Sequence, residues 1–305
     1  YSDMLADMYI KENELKCLPI KIVTLEEENP TELKVFEKTF SDLAKDTEDN
    51  EFWRIKTGIF GSKIPPPPSE EDSLSTDSAN TISIKSCKWK INESLAFSTF
   101  EDKEKWEFLY KINKYNFEII GGTTIKNEKV YIIDFTPKEN GLYKGRLYVA
   151  MESSALIRAD YTFAPEKTGK KIQLLGVGLE NTNFSGSIYF EKKDEAYELK
   201  YLSFQNNQKF SLARNFSLIK KKKRILLNKK LKEIKFGVNI LAENHESIEL
   251  LVIDNLKIPD IEFNNIQEAK NTDVTYVNQF NKELWKNYIT IEPTQQMKEY
   301  TKNKN

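Results

Sequence analysis

His245 is the only histidine in the chain, so any Ser-His, Cys-His or multi-histidine arrangement must be built on it. A multi-histidine metal site is therefore excluded. It stands in Glu243-Asn244-His245-Glu246, just before an apolar run, and reads as an exposed turn residue rather than a catalytic base. Carboxylate pairs such as Asp194-Glu195, and the run Glu26-Glu27-Glu28, are what a chain with 30% charged residues produces without selection for acid-base work, and they read as solvated turns. Gly176-Val177-Gly178 lacks a third glycine at dinucleotide spacing, no phosphate-loop motif occurs, and Asn183-Phe184-Ser185-Gly186-Ser187 does not have the form of a nucleophile elbow. Cys17 and Cys87 are far apart in sequence with no CxxC, which excludes a zinc knuckle and a thioredoxin-type motif and leaves one disulfide or two buried thiols. The residues thus announce no reaction, and no metal or cofactor is expected.

With 46 Lys+Arg against 47 Asp+Glu there is no global basic field, and nucleic acid is not an expected partner. The one sharp local field is Lys220, Lys221, Lys222, Lys223 and Arg224, joined by Lys229, Lys230, Lys232 and Lys235 and opposed only by Glu233. Each such cation is worth about 1 kcal/mol at an anionic leaflet, enough together for peripheral membrane contact. Alternatively, a lysine-rich loop or edge strand keeps sheets from pairing with one another.

These groups must be held by a framework, and its clearest part runs from Lys114 to Phe163 as an antiparallel meander. Tyr131, Ile133 and Phe135 alternate onto one face, followed by Leu147, Val149 and Met151 and then Ile157, Ala159, Tyr161 and Phe163, with Arg158, Asp160 and Thr162 opposite. Asn140-Gly141 and Glu152-Ser153-Ser154 supply the turns. Further strands are expected at 51–60, 172–179, 184–191, 196–205, 209–220 and 246–254. Helical patterns fall at Met4–Ile10, at 30–45 (Leu33, Phe36, Phe40, Leu43) and at Asp102–Lys111 (Trp106, Leu109, Tyr110). Tyr276–Tyr288 reads as a short helix or an aromatic closing segment. The expected fold is mainly β (α+β), a strongly curved antiparallel sheet or half-barrel with a few packing helices. Residues 1–62 form a helical and strand segment packing on the sheet, 63–80 a Pro/Ser/Asp-rich disordered excursion, and 81–305 the half-barrel domain. The longest apolar runs, such as Ile248–Ile253, are too short to span a bilayer. The opening Tyr1 reads as a start within a longer precursor.

A sheet face carrying Tyr131, Ile133, Phe135, Leu147, Val149, Ile157, Tyr161 and Phe163 is a candidate groove for an acyl chain or hydrophobic peptide; the same residues suit a filled core equally well. Phe117-Glu118-Ile119-Ile120-Gly121-Gly122, then Val130–Pro137, then Gly145-Arg146-Leu147-Tyr148-Val149, Ala155–Asp160 and Trp285-Lys286-Asn287-Tyr288 before Pro293, resemble the β domain of Bacteroidota cell-envelope proteins that often carry a carboxypeptidase-like regulatory domain. The strand pattern is also similar to the half-barrel of LolA/LolB lipoprotein carriers. The resemblance implies a non-enzymatic protein of the periplasm or outer membrane that binds a lipid or lipoprotein acyl group, or a structural module that binds other envelope proteins. Asp72-Ser73-Leu74 and Asp77-Ser78-Ala79 resemble the O-glycosylation acceptors of such envelopes, making Ser73 and Ser78 candidate sites; a Ser/Asp-rich linker also yields these triplets by chance.

Overall fold

The computed structural model describes residues 2–12, 14–25, 50–64, 80–224 and 227–299. The expected helix at 30–45, most of the excursion at 63–80, and Ser73 and Ser78 lie outside them. The fold is mainly β and open rather than a closed barrel. Its strands are β1 (Ser2–Lys11), β2 (Glu14–Leu25), β3 (Glu51–Thr57), β4 (Phe60–Lys63), β5 (Thr81–Ser83), β6 (Tyr115–Ile125), β7 (Glu128–Pro137), β8 (Tyr143–Ala150), β9 (Leu156–Phe163), β10 (Lys171–Leu174), β11 (Val177–Lys193), β12 (Ala196–Lys222), β13 (Lys229–Leu251), β14 (Asn271–Asp273) and β15 (Thr275–Val277). Helices α1 (Ile84–Ser98), α2 (Glu107–Tyr110), α3 (Asp260–Asn265) and α4 (Gln295–Glu299) and two 3-10 turns, Ile112–Lys114 and Lys282–Trp285, complete them.

The main sheet runs β4-β3-β12-β11-β9-β8-β7-β6, with β10 beside β11 and β13 beside β12, all antiparallel. β12 is its spine: β13 follows one side along Tyr201–Lys222, while the other side is taken first by β11 and then by β3. At 27 residues, β12 has a contour of about 90 Å. Gln205–Gln208 break the apolar alternation, but pairing with β13 runs through them unbroken, so two expected strands are one. Conversely, the expected strand 172–179 is a hairpin, because Leu175 and Gly176 both take positive φ (50° and 78°), the geometry of a two-residue turn. A Cβ on Gly176 would lie 2.3 Å from the Ala213 carbonyl, so only glycine fits there.

Met4–Ile10 is a correction: it is strand β1, paired with β2. A bulge between Leu5 and Ala6 interrupts the two-residue period and leaves Met4, Leu5, Met8 and Tyr9 at helix-like spacing. Asp102–Lys111 yields helix only at Glu107–Tyr110, and within it Phe108 is buried while Leu109 and Tyr110 are exposed. Tyr276–Tyr288 begins in β15, which pairs parallel with β2, and ends in a 3-10 turn that buries Trp285.

α1 lies where the sequence pattern predicts no helix. Its Ile84 and Ile91 pack with Leu15 and Cys17 of β2, and Cys87 packs with Ile22 and Val274. The Glu268 carboxylate accepts from the Cys17 amide (2.8 Å) and pairs with Lys88 (2.8 Å). Both cysteines are free thiols, and burial pushes the Cys17 thiol up to about 11.

The principal core lies on one face of the meander. Trp106, Phe97 and Phe108 cover Phe135, Tyr143, Tyr161, Phe163 and Phe184, with Phe108 stacked on Phe135 (centroids 4.3 Å apart) and the Trp106 indole donating to the Phe97 carbonyl (3.0 Å). Tyr161 lies in register between Gly145 and Gly186; a Cβ on Gly145 would sit 2.7 Å from the Tyr161 Cβ, so the glycines make room for the ring.

Candidate functional site on the polar sheet face

The meander's other face carries an apolar cluster of Val130, Ala150 and Ile157 at one end and is open and charged beyond it. Register aligns Asp134 of β7, Arg146 of β8, Asp160 of β9, Ser187 of β11, Ser203 of β12 and Glu249 of β13 in one row across six strands. Beside it, Lys144, Thr162, Ser185 and Gln205 form a second row. Apart from Glu249, these two rows line an open trough of about 600 Å³.

Arg146 donates to both oxygens of Asp134 (2.6 and 2.9 Å), and Arg158 does the same to Asp160 (2.7 and 3.1 Å), while Ser187 donates to Asp160 at 2.6 Å. The hydrogen bond from Arg146 holds the Asp134 carboxyl below its ordinary value, and the same contact raises Arg146. Arg158 also lies over the Tyr148 ring, 5.7 Å from its centroid. Tyr201 sits nearby with its hydroxyl shifted upward by burial. Asp134 and Asp160 are thus each matched to a guanidinium. The arrangement presents fixed dipoles and paired charges along one sheet face.

The eight expected groove residues divide. Phe135, Leu147, Tyr161 and Phe163 are buried in the principal core, and Ile133 and Val149 pack against it. Tyr131 is 41% exposed. A bulge pairs Tyr148 with Arg158 and Val149 with Leu156, which turns Ile157 away from that core and into a cluster with Val130 and Ala150. On the face these residues share, the rings of Phe97, Trp106 and Phe108 occupy the space above the sheet.

Lys220, Lys221 and Lys222 form the end of β12 rather than a loop, and Lys220 pairs with Glu51 at 2.9 Å with little exposure of either side chain. Lys223 and Arg224 follow it and are exposed. His245 lies within β13, not in a turn; it is exposed and faces only Glu243 at 4.0 Å. Among the described residues no three His, Cys, Asp or Glu gather as metal ligands, and no helix is long and apolar enough to cross a membrane.

Sequence reasoning found Arg158, Asp160 and Thr162 but missed Asp134, Arg146, Ser187 and Ser203. The signal was present for the first pair: the Asn140-Gly141 turn sets Phe135 opposite Gly145, which places Asp134 against Arg146. No family model matches the chain, and no curated protein or solved structure was found to be similar to it.

Proposed function

We propose that this is a non-enzymatic assembly module of the cell envelope that holds another envelope protein against its polar trough. The observation supporting this reading is the contrast between the two faces of the meander: the aromatic face is filled by the chain's own rings, and the open face carries two pre-formed Asp-Arg pairs flanked by hydroxyls. Rigid paired charges select a partner by complementarity and cost little to reorganise on binding. A photo-crosslinker placed at Thr162 should trap a defined envelope protein in cells, and the trapped product should disappear when Arg146 and Arg158 are both changed to Glu. A product unaffected by those changes would refute the reading.

The second reading is a carrier of a lipid or lipoprotein acyl group, with peripheral membrane contact through Lys223 and Arg224. It is favoured by apolar residues left open on the outer sheet: Leu174, Leu179, Phe210 and Ile240. Native mass spectrometry of the purified protein separates the two, since a carrier retains a stoichiometric lipid and an assembly module has a clean mass after lipid incubation.

A further inference from the structure

Among the described residues β13 forms an edge of the main sheet over 23 residues: it pairs with β12 alone, and none of its residues is buried. An edge of this length with its backbone groups unpaired is a template for another strand. Its charges are largely segregated along the strand, with Lys229, Lys230, Lys232 and Lys235 and a lone Glu233 in the first half and Glu243, Glu246 and Glu249 in the second. From Lys232 to Leu251 its pairing with β12 is unbroken, so side chains alternate regularly between the faces, even-numbered positions lying on the side of Phe236, Val238 and Ile240.

We propose that two copies of this chain join edge to edge along β13, antiparallel, with a two-fold axis at Asn239. Residues opposite each other in an antiparallel ladder share a face, so symmetric pairing must set even positions against even and odd against odd. With Asn239 facing its own copy, Lys232 meets Glu246 and Lys235 meets Glu243, and each pair occurs twice. Glu233 meets His245, and Val238 meets Ile240, keeping the apolar face continuous across the junction. Beyond the bulge at Leu231, Lys229 and Lys230 lie against the end that carries Glu249. Slipping the pair by two residues in one direction removes both Lys-Glu matches. The opposite slip leaves Lys230 facing Glu246 and sets Glu233 against Glu243. The charge pattern therefore selects both the partner and the register.

Sedimentation equilibrium of the full chain tests this. The wild type should show a concentration-dependent dimer whose dissociation constant rises with salt. Lys232→Glu or Glu246→Lys alone places two like-charge pairs at the junction and should weaken the dimer by about tenfold. The double variant Lys232→Glu/Glu246→Lys restores opposite charges and should recover wild-type affinity. All of these positions are at the exposed edge, so circular dichroism should be unchanged in each variant. A chain that stays monomeric at its highest soluble concentration, or a double variant no tighter than the singles, would overturn the proposal.

Discussion

The meander β6–β9 and the outer ribbon of β12 and β13 are both built by alternating apolar and polar residues, yet they end in opposite states. In the meander the apolar face is closed by Phe97, Trp106 and Phe108, which reach it from α1 and from the segment that follows. In the ribbon, Phe210, Leu212, Phe216 and Leu218 oppose Ala242, Ile240, Phe236 and Ile234, with Phe216 and Phe236 stacked at 5.6 Å, but Phe210 and Ile240 remain more than a third exposed. Alternation specifies a face; only the elements that come to lie on it decide whether that face becomes a core.

The sharpest way to break the comparison is to remove the cover. Trp106→Ala takes away a fully buried ring and its hydrogen bond to Phe97, and should cost about 4 kcal/mol in denaturant unfolding. A loss under about 1 kcal/mol would mean that the meander is stable without its lid.

Next in size is Glu107, nearly buried beside that cover, where it accepts from Tyr115 (2.7 Å) and Lys114 (2.9 Å). Burial opposes its ionisation, but the bonds from Lys114 and Tyr115 prevail and its pKa is lowered, while Tyr115 is raised to about 12, first by burial and then by Glu107. A carboxyl whose folded pKa lies below its unfolded value stabilises the protein above that unfolded value. The contribution should disappear as pH falls below about 4. Glu107→Gln should cost about 1–2 kcal/mol at neutral pH and flatten that acid limb; an unaltered limb would remove Glu107 from the account.

On the ribbon, Phe210→Ser should cost about 1 kcal/mol, well below a core ring, because more than a third of the side chain is already in water. A larger loss would show that this face is covered in solution. The smallest effect belongs to the trough: Asp134→Asn opens an exposed ion pair and should shift unfolding by at most about 0.5 kcal/mol while weakening capture of a partner. If capture is unchanged, the trough is only a solvated sheet face.

Much of this contrast was legible in the residues. The meander's strands and turns follow from period-two alternation between Tyr131 and Phe163, and the opposite face was visible in Arg158, Asp160 and Thr162. What covered the aromatic face was not. α1 has only Ile84, Cys87, Ile91, Ser94 and Phe97 as buried positions, leaves Trp89 61% exposed, and lacks a side-chain cap, so its local pattern is weak and its burial is set by contacts distant in sequence. The bulges at Leu5/Ala6 and Tyr148/Val149 were equally hidden, since each shifts a face without changing composition. The charged row of the trough needed cross-strand register, which a single strand does not reveal.

β1 takes one edge of β2, but the other edge is bordered by β15, and β5 by β14, so among the described residues the second edge of β2 and residues 81–83 find strand partners only in residues 271–277. During synthesis, β2 and β5 wait for residues 271–277 to emerge before their sheets can be completed. Closure of such a long loop is slow, and a chain shortened before residue 271 would present the uncovered edges of β2 and β5 to chaperones and proteases.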